Sequence, residues 1–137
     1  MDDTADGVRK SDQEWRASLT PEQYRVLREH GTERPWSHPY NAEHRAGEFV
    51  CAGCGAPLFS SDAKFESGSG WPSYVAAVDG AVETSVDRGQ GMIRTEMHCR
   101  RCGGHLGHLF DDGPAPTGLR YCTNGTSLRF VPKGTEA

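Results

Sequence analysis

CAGCG at positions 51–55 and CRRCG at positions 99–103 decide how this chain must fold. Each string puts two thiols on one tight turn, and the glycine that follows leaves room for backbone amides to bend back toward the sulfurs. Together Cys51, Cys54, Cys99 and Cys102 supply four sulfur ligands, the number a closed tetrahedral zinc site takes. The gap from Cys54 to Cys99 is long, so one ion would clip together two distant hairpins with most of the sheet between them. A thioredoxin-like redox pair and two disulfides are the alternatives. Neither string opens a helix after a strand, and the doubling favours a metal. A site whose positions are all held by cysteine has none left for catalysis, so the expected role of this zinc is folding.

Around the clip, short apolar stretches recur: EFVC, PLFSS, PSYVAAV, AVETSV, GMIRTEM, HLGHLF, LRYCTN and TSLRFV. Glycine, proline and aspartate separate them, which is the pattern of an antiparallel, mainly β domain. In AVETSV, Val82, Thr84 and Val86 alternate with charged or small residues, as a strand with one buried face requires. Ahead of the strands, LTPEQY marks a helix start, with Thr20 as N-cap, Pro21 in the first turn, Gln23 closing a capping box and Leu19 stapling onto Tyr24. The helix is expected to run from Pro21 to His30 and to stop at Gly31 in the left-handed C′ position. Tyr24, Val26 and Leu27 are its packing residues. Residues 1–18 are polar and are expected to form a loosely ordered arm.

The chain has 137 residues, enough for one core, with 35% hydrophobic residues and 17 glycines. So lean a core calls for help beyond hydrophobic burial, which a metal clip provides. The formal charge of −4 is spread along the chain and argues against nucleic-acid binding. MDDTADGVRK has neither the basic nor the apolar part of a signal peptide, and the apolar run around Val75 to Val78 is too short for a membrane. A cytoplasmic protein is therefore expected, and in a reducing compartment five cysteines point to metal or catalysis before disulfides.

Cys122 is the cysteine left over. In LRYCTN a strand would place Arg120, Cys122 and Asn124 on one face. The guanidinium would favour the nucleophilic thiolate, although a buried, inert thiol is the plain alternative. His105 and His108, in HLGHLFDDGPAPTG, fall on opposite faces of a regular strand. Both reach one pocket only if Gly107 marks a bulge. Each is more often structural than catalytic, yet beside a reactive thiol both become candidates for proton delivery. Trp71, in KFESGSGWPSY, sits on a loop, either as a core ring or as the wall of an apolar pocket suited to an S-methyl group.

SGSGWPSY, the two cysteine knuckles, HLGHLFDDGPAPTG and RYCTNGTSLRF, in this order, resemble the B-type methionine sulfoxide reductases. LTPEQYRVLREHGTERPWS is similar to that family's N-terminal approach, so the likeness runs from Leu19 to Phe130. The resemblance implies two antiparallel sheets in one domain over residues 19–131, with short N-terminal helices and a zinc clip. Residues 1–18 and 132–137 would flank it. It implies reduction of the R epimer of methionine sulfoxide in oxidised proteins, with Cys122 as the nucleophile that becomes a sulfenic acid. His105 and His108 match the histidines that bind and protonate the sulfoxide oxygen. Trp71 matches the ring that receives the S-methyl group, and Arg120 and Asn124 match the residues that order the nucleophile's site.

Two departures stand out. RYCTNGTSLRF differs from the family's usual RYCINSASLRF at Thr123, Gly125 and Thr126, changes expected to loosen the strand after Asn124. A resolving cysteine, found in some members at the position of Ser69, is missing, and the other four cysteines are committed to zinc. The expected cycle therefore uses one cysteine, with thioredoxin or a small thiol attacking the sulfenic acid directly. A monomer is expected. The rival classes are a zinc-clipped binding module, which does not need the pocket residues together, and a general thiol oxidoreductase or peroxide-handling enzyme using Cys122, which does not explain Trp71.

Overall fold

The computed structural model describes residues 10–88, 91–115 and 117–133. Two helices precede nine strands: α1 (Asp12–Ser18) and α2 (Pro21–Glu29), then β1 (Gly47–Cys51), β2 (Pro57–Ser60), β3 (Lys64–Phe65) and β4 (Ser73–Tyr74). β5 (Val82–Asp87), β6 (Arg94–Cys99), β7 (His105–Phe110), β8 (Arg120–Thr123) and β9 (Leu128–Pro132) complete the strands among the described residues. The strands form two antiparallel sheets, one ordered β2-β1-β9 and the other β3-β4-β8-β7-β6-β5. The mainly β, two-sheet reading holds. All eight apolar stretches contain a strand, and the two-residue β3 is the one without a sequence signal.

The core lies where the sheets face each other. Phe49 of β1 and Phe59 of β2 meet Tyr74 of β4, with the Phe59 and Tyr74 rings stacked at 4.2 Å and Phe49 edge-on to Tyr74 at 5.3 Å. Met97 and Leu106 extend this cluster along the larger sheet, fully buried. Burying each of the Phe, Met and Leu side chains stabilises the fold by about 1.5–3 kcal/mol before entropy is counted.

Three expectations are corrected. The arm up to residue 18 is not loose over Asp12–Ser18: Ser11 and Glu14 form a capping box, and Trp15 is buried at 3% exposure. Residues 1–9 and 134–137 lie outside the described residues. The left-handed residue that ends α2 is His30 (φ 58°), not Gly31; the Thr20–Gln23 box is formed as read. β5 is an edge strand, and only Val82 packs on the core while Val86 is 60% exposed. A strand with no neighbour on one side has fewer groups to cover it, whatever its alternation.

Candidate metal centre and active-site pocket

The two knuckles close on each other. Cys51 is the last residue of β1 and Cys99 the last of β6, and each strand end turns identically: Gly55 N–H donates to the Cys51 carbonyl and Gly103 N–H to the Cys99 carbonyl, both at 2.8 Å. Both glycines are left-handed, at φ 80° and 77°, a conformation that favours glycine. The Sγ atoms of Cys51 and Cys102 are 3.6 Å apart, as are those of Cys54 and Cys99, and all four lie within 4.8 Å of one another. A tetrahedral ion with Zn–S bonds of ~2.3 Å needs sulfurs separated by about 3.8 Å. The four cysteines therefore fit a metal ion, and the separations rule out a disulfide, whose sulfurs are ~2.05 Å apart. Four clustered thiolates also repel unless a cation sits among them. The Gly53 amide donates to Cys51 Sγ at 3.3 Å, and Arg28 donates to the Cys102 carbonyl at 3.0 Å while lying over Trp15. Both helices thus brace the clip.

Cys122 lies in the middle of the larger sheet, paired with His108 of β7 on one side and Ser73 of β4 on the other. β7 carries the bulge expected near Gly107: Met97 pairs with Gly107 and His98 with His105, so Leu106 has no partner in β6. The extra residue turns both histidines to one side, with ring centroids 5.7 Å apart. A pocket of about 190 Å³ collects Ser69, Trp71, His108, Arg120, Cys122 and Asn124. A larger depression of about 410 Å³, lined by residues of the 46–62 stretch and 131–133, offers no cysteine or histidine. Chemistry, not size, picks out the first.

His105 does not line this pocket. It is buried, with Nδ1 donating to Glu96 Oε2 at 2.6 Å, and burial pushes its pKa down to about 4 although Glu96 pulls the other way. It is a neutral imidazole at pH 7. His108 faces the pocket, and its Nε2 is 2.9 Å from Asp87 Oδ2.

Arg120 pulls Cys122 toward thiolate, as expected, but burial, which the sequence did not show, is the larger influence. Burial pushes the thiol up and outweighs the Arg120 charge and the Ser69 hydroxyl, which pull it down. Arg120 is itself engaged, with two bonds to Asp112 at 2.9 and 3.1 Å and its guanidinium 4.3 Å from the Phe110 ring. Its charge is shared before it reaches the sulfur.

Glu33 was missed by the sequence reading. Its buried carboxylate accepts from Gly125 N (2.8 Å), Thr126 N (2.9 Å) and Thr126 Oγ1 (2.7 Å). Its amide donates to Asn124 Oδ1 at 2.9 Å, and its carbonyl accepts from Trp71 Nε1 at 3.0 Å. One residue thus sets Trp71 and Asn124 together. The expected loosening after Asn124 does not appear: Gly125–Ser127 is a 3-10 turn held by Glu33, with the His38 ring filling the space beside Gly125. GTERPWS carried Glu33 in plain sight, but nothing local ties residue 33 to residues 71 and 124–126.

Two antiparallel sheets with four clustered cysteines between them that could hold a metal ion, and one spare thiol in an aromatic pocket, define the class: a β domain built round a free cysteine. The chain belongs to the SelR domain family, which matches residues 19–132. It is 58% identical over 131 residues to the protein named peptide methionine sulfoxide reductase MsrB in Bradyrhizobium diazoefficiens, covering 95% of this chain and 94% of that protein. Proteins of the same name in Thiobacillus denitrificans and Agrobacterium fabrum are 59% and 58% identical, over 90% and 94% of this chain and 95% and 96% of theirs. The resemblance read from the motifs holds. Among the described residues, no helix is long and apolar enough to cross a membrane.

Proposed function

We propose that this protein reduces methionine (R)-sulfoxide in oxidised proteins to methionine, with Cys122 as nucleophile. The observation that carries this reading is the pairing of a free thiol with His108 in a pocket walled by Trp71. A sulfoxide sulfur is a poor electrophile until its oxygen gains a proton. Cys122 Sγ attacks that sulfur, and the proton it gives up passes by way of His108 to the oxygen. The oxygen of that adduct then moves to Cys122: an O–Sγ bond forms as the substrate's S–O bond and the new S–Sγ bond break, so the thioether leaves with two electrons more and Cys122 becomes a sulfenic acid. A thiol that is neutral at rest suits this step, because it brings nucleophile and proton together.

Trp71 takes the S-methyl group against its ring. His108 takes the oxygen, and with Cys122 fixing the side of attack these three constraints select the R epimer. Arg120 favours charge on sulfur as the proton leaves. His105 and Asn124 act as positioning residues, the first beneath His108 and the second through the 33-loop. The four cysteines hold one structural zinc ion, which supplies folding energy and no chemistry. The reductase domain is residues 19–131, braced by α1 and continued by Pro132 at the end of β9. The protein works as a cytoplasmic monomer.

Ser69 stands where an internal resolving thiol would be needed, and its Oγ is tied to Ser67 Oγ at 2.7 Å. Thioredoxin or a small thiol therefore attacks the sulfenic acid, releasing water and leaving a mixed disulfide that a second thiol reduces. The test is a racemic methionine sulfoxide peptide with dithiothreitol or thioredoxin, followed by separation of the epimers. Consumption of the R form alone is expected, with sulfenic acid at Cys122 by mass spectrometry after one turnover without reductant. No turnover by zinc-loaded protein defeats the reading, and an internal disulfide with zinc lost defeats the one-cysteine cycle.

A further inference from the structure

On the face of β6 opposite the clip, three side chains converge that the reductase reading leaves without a complete role. Met97 and Cys99 point into the core, so Glu96 and His98 share the other face. His30, at the end of α2, swings its ring over them. His30 Nδ1 is 2.6 Å and His98 Nε2 3.2 Å from the same Glu96 oxygen, Oε2. The three ligand atoms lie within 4.8 Å of one another. His105 Nδ1 also approaches Oε2, at 2.6 Å, so one oxygen has three imidazole nitrogens around it. A carboxylate oxygen has two lone pairs, so one imidazole is surplus as a hydrogen-bond donor.

We propose that His30, Glu96 and His98 form a second metal site, for a divalent first-row cation of the zinc class. Two imidazoles and one carboxylate are a set such ions take with a position left open, in contrast to the closed set of four thiolates. His98 and Glu96 sit on a paired strand with side chains only 21% and 12% exposed, a rigid base. His30, with its side chain 57% exposed, is the movable third ligand and leaves an entry path from solvent. Ligands at ~2.1 Å from a tetrahedral ion are about 3.4 Å apart, so the His98–Glu96 separation already suits one. His30 must retreat by less than about 1 Å, a ring rotation open to an exposed side chain. His30 also adopts a left-handed backbone that glycine would take without strain, which fixes where its ring emerges.

The site also touches the active site. Glu96 is the acceptor that orients His105, and a cation on Oε2 would compete with His105 for that oxygen. This link, unlike the site itself, rests on the proposed function: bound metal slows sulfoxide reduction.

The test uses the full chain carrying one equivalent of zinc in its thiolate site. Titration with zinc chloride by calorimetry, with metal counted after dialysis, is expected to show a second equivalent. His30→Asn, which keeps the left-handed cap, and His98→Gln should each weaken the second equivalent at least tenfold and leave the first in place. His44→Asn, on a separate loop, should change neither. A wild-type stoichiometry that stays at one overturns the site, as does a second equivalent unaffected by both variants. Binding that leaves reductase turnover unchanged overturns the link to His105 alone. Lack of turnover in the metal-free second site counts against the reductase reading, not the cation site.

Discussion

Gly107 crosses the backbone of Cys122 so closely that a Cβ placed on it would lie 2.0 Å from the Cys122 carbonyl oxygen. The same residue, at φ 156°, forms the bulge that turns His105 and His108 to one side. Gly107→Ala is thus expected to cost ~2–4 kcal/mol of stability, through strain between two central strands. Sulfoxide turnover should fall further, because Cys122 and His108 are displaced relative to each other. Urea unfolding with matched kinetics checks this; a variant within about 0.5 kcal/mol of wild type would remove the steric argument.

Glu33 is the second lever. Its carboxylate accepts three bonds from residues 125 and 126, and a glutamine offers one oxygen and a donor that meets other donors. Glu33→Gln should cost about 1–3 kcal/mol and lower kcat/KM, since Trp71 and Asn124 hang on the same residue. Stability and kinetics both unchanged would mean the turn is held by something else.

The Cys122 thiol has a pH signature. Burial raises its pKa, so its alkylation by iodoacetamide should have a midpoint above the ordinary cysteine value of ~8.5. Arg120→Met and Ser69→Ala each remove a group that pulls the thiol down, so each should move the midpoint higher. A midpoint below the ordinary value in wild type would show that charge, not burial, controls the sulfur.

The five cysteines divide into two kinds by what their loss does. Cys51→Ser or Cys102→Ser should release zinc and unfold the domain, because the clip joins the ends of β1 and β6. Cys122→Ser should keep zinc and fold while activity vanishes. Metal content and far-ultraviolet circular dichroism separate the two groups, and zinc loss shared by all three variants would reassign the sulfurs.

Much of this molecule is legible in local patterns. The Thr20–Gln23 cap, the strands and the two knuckles depend on residues a few positions apart, and each is found where the pattern puts it. Trp15 escaped notice because one aromatic in a polar stretch has no period to reveal it. His30 displaced Gly31 as the left-handed residue because α2 ends one residue early.

What the sequence by itself determined is the inventory: four cysteines in two knuckles, one more beside an arginine, and strands of known length. Those are properties of spacing, and backbone geometry converts spacing into turns and faces without help. Tertiary structure alone decided that His105 is sealed behind His108, that Glu33 ties Trp71 to Asn124, and that burial outweighs Arg120 at Cys122. Desolvation and long-range hydrogen bonds depend on which surfaces meet, and residues 33, 71 and 124 meet only after the sheets have closed.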